Sequence, residues 1–174
     1  MAVAEMSQRK RNAVKWILYS ILLFVAFIFQ TTVDLFQIFG VKPIWILPVI
    51  MYIAVFEGEW AGAIFGVVGG LFWDTAANKL LGFNAIILLV LTVCAALLSM
   101  YLIKANFWNS LLIVLAAALI QGLADYVFCY LIWGHSSTHL ILIKKILPTV
   151  AYTTIAAVPL FFLVRKISRA FRPE

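Results

Sequence analysis

The chain has 174 residues, of which 66% are hydrophobic and only 11% are charged. Soluble domains are usually ~45–50% apolar and ~25% charged, so this composition excludes an ordinary water-soluble fold. The 13 basic residues outnumber the 7 acidic ones, but they lie near the chain ends and in short gaps between apolar runs. That distribution is typical of membrane topology and not of a nucleic-acid-binding face. The sequence therefore predicts one all-α transmembrane domain over residues 1–174, with no soluble domain.

Six apolar runs predict six transmembrane helices. A helix needs ~20 apolar residues to cross the hydrocarbon core of a bilayer. The predicted helices cover residues 16–33, 44–57, 60–73, 83–103, 107–133 and 140–164. The last helix begins either near residue 140 or, after an interfacial turn at Lys144 and Lys145, at Ile146. The second and third are short, so they either cross with tilt or local bilayer thinning, or form a re-entrant hairpin. In both cases the pair returns the chain to the same side of the membrane.

The basic residues also predict the orientation. With a cytoplasmic N-terminus, the cytoplasmic side collects Arg9, Lys10, Arg11, Lys15, Lys104, Arg165, Lys166, Arg169 and Arg172. The outer side holds only Lys42, Lys79, Lys144 and Lys145. Because Lys and Arg are enriched on the cytoplasmic side of membrane proteins, we expect both termini to be cytoplasmic.

Glycines recur at every fourth position from the turn after the second predicted helix through the third. They are Gly58, Gly62, Gly66 and Gly70, with Gly69 beside the last of them. Residues four apart share one face of a helix, and a face without side chains lets another backbone approach closely in lipid. The pattern predicts either an internal helix–helix seam or a docking face for a transmembrane helix of another protein. A ligand cavity is a third and weaker alternative.

Two polar residues lie at membrane depth in the fifth predicted helix. Gln121 and Asp125 are four residues apart and share a helix face. A charge at the bilayer centre costs ~2.5–3.5 kcal/mol on insertion scales. If the last helix starts near residue 140, Lys144 or Lys145 reaches a similar depth and neutralises Asp125. The sequence favours an interhelical ion pair over a proton or ion site, because a relay needs a chain of titratable groups.

Other polar residues give weaker signals. Asp74 ends the third helix, and Gly82 and Asn84 open the fourth, as in an ordinary polar loop with a helix entry signal. His135 and His139 have a spacing that suits zinc on a helix, but two ligands without a nearby acid make a weak site. No metalloprotease, P-loop, dinucleotide-binding or nucleophile-elbow motif occurs. We therefore expect no catalytic site, no metal and no cofactor.

One segment resembles a known protein family. Its residues are Gly62, Gly66, Gly70 and Asp74, followed by Leu81, Gly82, Asn84 and Ala85. This segment is similar to the core of the rod-shape-determining MreD family, which has a glycine-spaced helix ending in Asp, a short loop, and Leu-Gly before the next span. The likeness in hydropathy covers nearly the whole chain, whereas the sequence-specific likeness is confined to roughly residues 58–85.

The resemblance implies a non-enzymatic scaffold subunit of the bacterial elongation complex, located in the plasma membrane. Members of the family are associated with the single-span protein MreC. Through MreC they relate to the actin-like MreB, the glycosyltransferase RodA and a penicillin-binding transpeptidase, in lateral peptidoglycan synthesis and cell shape. Gly62, Gly66, Gly70, Asp74, Gly82 and Asn84 match the family motif by position, and their contact with MreC is a hypothesis.

A different class of protein also fits six short helices in this length. The S-components of energy-coupling-factor vitamin transporters look similar, and the two families could share a fold. Those subunits usually dock through alanines at four-residue spacing on the first helix, whereas residues 19–29 here are mostly Leu, Ile and Phe. The alternative function is therefore a small-molecule-binding transporter subunit. An ion carrier, which rests on Asp125 alone, ranks last.

Overall fold

A computed structural model describes residues 2–32, 41–77, 81–128 and 145–171, with side chains from residue 8 onward. Within these ranges the chain forms six helices. They are α1 (Ala2–Thr31), α2 (Ile46–Glu57), α3 (Glu59–Ala77), α4 (Phe83–Leu97), α5 (Phe107–Tyr126) and α6 (Leu147–Ala170). A π-helical turn, Leu98–Leu102, extends α4. The predicted all-α class is confirmed for the described residues.

Five of the helices are long and apolar enough to cross a membrane. The candidate spans are Gln8–Thr31, Glu59–Ala77, Phe83–Leu102, Phe107–Tyr126 and Leu147–Ala170. The remaining helix, α2, has 12 residues. At ~1.5 Å per residue it is ~18 Å long, which is less than the ~30 Å hydrocarbon core. The prediction of six transmembrane helices is therefore supported for five.

The short helix α2 is the centre of the bundle. Residues 46–55 are all buried, and α2 packs against each of the other five helices. It carries no charged residue before Glu57 at its end, and a helix that is apolar on every side is typical of a protein core or a membrane span. The outer helices are consequently arranged around α2.

Several helix bounds differ from the predicted ones. Helix α1 begins at Ala2, well before residue 16, because the basic segment continues the helix beyond the apolar run. Helix α6 begins at Leu147 and extends to Ala170. Pro148 lies in its first turn, where the missing N–H has no helical partner to lose. The predicted segment from residue 129 to residue 144 lies outside the described residues.

Polar contacts with Glu57 attach α1 to α2. The Lys15 Nζ atom lies 2.6 Å from Glu57 Oε2, and the Tyr19 hydroxyl donates to Glu57 Oε1 at 2.8 Å. Most of the remaining surface of α1 is exposed, and its buried side chains are Tyr19, Leu23 and Ala26. The carboxylate of Glu57 therefore anchors a helix that has few other buried contacts.

We expect Glu57→Ala to loosen α1. The Tyr19 side chain is fully buried, so its hydroxyl loses its acceptor there, and hydrogen bonds to charged groups contribute ~1.5–3 kcal/mol. The free energy of unfolding should fall by about 2 kcal/mol, with faster backbone hydrogen exchange in the N-terminal half of α1. Ser20→Ala is the control, since the exposed Ser20 hydroxyl bonds only to Trp16 O of the same helix. Equal exchange rates in the two variants would contradict this anchoring role.

Candidate functional site

The contact between α3 and α4 is lined with glycines of α3. A Cβ atom on Gly66 would lie 2.5 Å from Thr92 Oγ1 and 3.0 Å from Leu88 O. A Cβ atom on Gly70 would lie 2.6 Å from the backbone nitrogen of Ala85. These separations leave no room for a side chain. The two helices therefore pack backbone against backbone, as small residues permit in lipid.

The other glycines of the pattern have different surroundings. A Cβ atom on Gly62 would lie 2.8 Å from Ala54 Cβ of α2. Gly58 is not on α3, because it ends α2 with a φ of 94° and donates its N–H to Ala54 O at 3.0 Å. Gly58 thus lies in the turn between the predicted helices 44–57 and 60–73, although its spacing continues the pattern of α3. Gly69 faces Ile46 and Ile50 of α2 instead of α4.

The carboxylate of Asp74 closes the hairpin between α3 and α4. Its Oδ2 accepts the Gly82 N–H at 2.8 Å, and its Oδ1 accepts the Asn84 N–H at 3.0 Å. The first N–H groups of a helix have no partner within the helix, and a negative charge is stabilised there. Gly82 adopts a φ of 99°, in the left-handed region that favours glycine. Asp74 and Gly82 together shape the start of α4.

The cluster extends to α5 through two side-chain amides. Asn84 Nδ2 donates to Asp74 Oδ1 at 2.8 Å, and Gln121 Nε2 donates to Asn84 Oδ1 at 2.5 Å. An ionised carboxylate only accepts, so Asn84 must present its NH₂ group to Asp74 and its oxygen to Gln121. All three side chains are fully buried. The cluster of Asp74, Asn84 and Gln121 therefore ties three helices together.

A comparison with protein families covers nearly the whole chain. A family model described as rod shape-determining protein MreD matches residues 10–171. The chain belongs to the MreD family. No curated protein and no solved structure gives a significant match. Membership indicates a role in rod-shape determination for a multi-pass membrane protein, and it confirms the resemblance drawn from the glycine pattern and Asp74.

The residues on which the resemblance to the MreD family is based make contacts within the protein. Gly66 and Gly70 face α4, and Gly62 faces Ala54. Both oxygens of Asp74 accept hydrogen bonds from Gly82 and Asn84. Three donors around this buried carboxylate are what a structural acceptor at the start of a helix requires. The sequence pointed to these residues and predicted a polar loop with a helix entry signal, but it gave no indication that Gln121 joins them.

Gln121 and Asp125, the two polar residues at membrane depth in α5, have different surroundings in the structure. Gln121 joins Asn84, whereas Asp125, one turn later, is half-buried. Lys145 is exposed and precedes α6, while Lys144 lies outside the described residues. An ion pair between Asp125 and either lysine therefore stays a prediction. Lys145 lies two residues before Leu147, the first residue of α6.

The predicted metal ligands His135 and His139 also lie outside the described residues. In the ranges 2–32, 41–77, 81–128 and 145–171, no group of three or more His, Cys, Asp or Glu side chains could hold a metal ion. Cys94 is exposed on α4 and free. The zinc alternative for His135 and His139 therefore stays a prediction.

Proposed function

We propose that this MreD-family protein is a non-enzymatic scaffold subunit of the bacterial rod complex. In this proposal it binds MreC and thereby supports MreB, RodA and a penicillin-binding transpeptidase in lateral peptidoglycan synthesis. The observation that carries the proposal is the family match over residues 10–171. The hydrogen bonds of Asp74, Asn84 and Gln121 support it, because these buried groups hold helices together.

The proposed location is the bacterial plasma membrane, with both termini in the cytoplasm. Two charge clusters support this orientation. Arg9, Lys10 and Arg11 are exposed before the apolar part of α1, and Lys166 and Arg169 are exposed near the end of α6. Cations at both chain ends favour the cytoplasmic side for both.

The glycine face of α3, formed by Gly62, Gly66 and Gly70, is not the proposed contact with MreC. Side chains or backbone of α2 and α4 already occupy the space beside Gly62, Gly66 and Gly70. A substitution such as Gly66→Leu would therefore test the α3–α4 seam and not a partner interface. The proposed contact with MreC lies on an outward face of the bundle, where a second protein has access.

Complementation and co-purification test the proposed function together. We expect the chain to restore rod shape in a rod-shaped bacterium depleted of its own MreD, and to retain MreC when purified from native membranes. An unrelated multi-pass protein with the same tag is the control. Round cells combined with MreC recovery no higher than in the control would contradict the proposal.

The same purification separates the alternative function from the proposed one. A transporter S-component would retain a vitamin or another small molecule, which mass spectrometry of the extracted sample detects. A scaffold subunit retains proteins instead. A stoichiometric small molecule without MreC would favour the transporter alternative.

A further inference from the structure

A groove of about 600 Å³ lies between α1 and α3, which also contact each other through Trp16 and Phe65. Its walls include Trp16, Ile21 and Phe24 of α1 and Ile64, Val68 and Phe72 of α3. Ser20 is the only wall residue with a hydroxyl group, and it donates to Trp16 O of its own helix. The groove therefore offers an apolar and partly aromatic surface, with the Trp16 indole N–H as its one other side-chain hydrogen-bond donor.

The length of the groove corresponds to one membrane leaflet. Its wall on α1 runs from Trp16 to Phe24, which is ~12 Å at ~1.5 Å per residue. The hydrocarbon core is ~30 Å thick, so one leaflet contributes ~15 Å. A single acyl chain of one leaflet fits this length.

Two cations lie on the groove side of α1. Helix α1 is continuous from Ala2, so residues seven apart, about two turns, share a face. Arg9 is seven residues before Trp16, and Lys10 is seven residues before Ile17, which also lines the groove. Both cations are exposed. They therefore lie beyond the aqueous end of the groove, at the level of lipid headgroups.

The neighbouring cations are arranged differently. Lys15 is paired with Glu57. Arg11 follows Arg9 by two residues, which is ~200° around the helix, so it points away from the groove. The charge is thus concentrated on the face that carries the groove.

We propose that this groove binds an anionic phospholipid of the leaflet on the N-terminal side. One acyl chain lies between α1 and α3, and the phosphate lies near Arg9 and Lys10. Charge complementarity selects an anionic headgroup, because juxtamembrane Lys and Arg attract anionic lipids. The proposal goes beyond the scaffold function, since it concerns the lipid around the protein and not MreC.

Native mass spectrometry tests the proposal on protein taken from nanodiscs with equal dioleoyl phosphatidylglycerol and dioleoyl phosphatidylcholine. We expect one retained phosphatidylglycerol. Arg9→Gln should lower its retention about fivefold, and Arg9→Gln with Lys10→Gln about thirtyfold. Arg11→Gln is the matched control and should leave retention unchanged. Equal losses in Arg9→Gln and Arg11→Gln, or no preference for phosphatidylglycerol, would overturn the proposal.

Two further measurements address the groove itself. Ser20→Trp fills it while leaving the cations in place, so phosphatidylglycerol should be lost, whereas Val90→Trp on the exposed face of α4 should retain it. A photo-reactive side chain at Ile21 should crosslink to lipid in native membranes. Crosslinking to a polypeptide instead would identify a partner helix as the occupant and overturn the proposal.

Discussion

Replacing Gly70 by alanine should lower the free energy of unfolding by about 3 kcal/mol, because overpacked sites typically cost ~1–3 kcal/mol and occasionally more. The added Cβ would lie 2.6 Å from the Ala85 nitrogen and 2.9 Å from the Asn84 carbonyl carbon. These are backbone atoms, which move only if α4 moves. Alanine also gains ~1 kcal/mol of helix propensity over glycine, and this gain is too small to offset the displacement. Thermal unfolding in detergent, followed by tryptophan fluorescence, measures the effect.

Gly69→Ala is the matched control for this substitution. It lies one residue earlier in the same helix, but its Cβ would meet the Cγ2 atoms of Ile50 and Ile46 at 3.0 and 3.1 Å. These side-chain methyl groups can shift by a few tenths of an ångström, and the gain in helix propensity offsets part of the cost. We expect a change within about 1 kcal/mol. Equal melting temperatures of the Gly69 and Gly70 variants would contradict the prediction, because they would show that α3 and α4 can move apart without loss of stability.

Asp74→Ala should have the other large effect. It leaves three donors without their acceptor: the Gly82 N–H, the Asn84 N–H and Asn84 Nδ2. Each unsatisfied buried donor costs ~1–3 kcal/mol, so we expect a loss of about 4 kcal/mol in the free energy of unfolding. In cells the variant should accumulate poorly and fail to restore rod shape.

Two controls distinguish the loss of the Asp74 carboxylate from the effect of any substitution at the end of α3. Asp74→Asn keeps one acceptor oxygen but places an NH₂ group against another donor, so its stability should lie between those of Asp74→Ala and the native protein. Thr75→Ala removes an exposed hydroxyl that bonds only to Phe72 O of the same helix. Such surface changes are usually within about 0.5 kcal/mol. Native-like melting of Asp74→Ala would show that other groups satisfy the start of α4.

Short-range patterns in the sequence predicted much of this fold. The apolar runs located helices in all six regions, because the length of an apolar run reflects the need to stay out of water. The spacing of Gly62, Gly66 and Gly70 predicted a close helix contact, since residues four apart share a face. The same glycines, with Asp74, identified the family. These predictions depend on neighbours within about one to two helical turns.

Contacts between distant residues could not be derived in this way. Periodicity shows which face of α3 is bare but not that Ala85 and Thr92 cover it. Gln121 and Asn84 are 37 residues apart, and Lys15 and Glu57 are 42 apart. Which of many polar groups meet depends on how the helices are arranged in three dimensions. The spacing of Gly58 continues the pattern of α3, although Gly58 lies in the turn before that helix, so spacing alone does not show which glycines share a helix.

The short central helix has a consequence for biogenesis. With 12 residues, α2 cannot be held in the bilayer by its own length, and it is enclosed only when the helices that follow it are present. The last of these, α6, begins 90 residues after α2 ends, at Leu147 and Glu57 respectively. Synthesis at ~5–20 residues per second separates their emergence from the ribosome by about 5–20 s. During that interval lipid or an insertase must shield α2. Truncation of α6 would therefore expose α2, the central helix of the bundle, and not a peripheral helix.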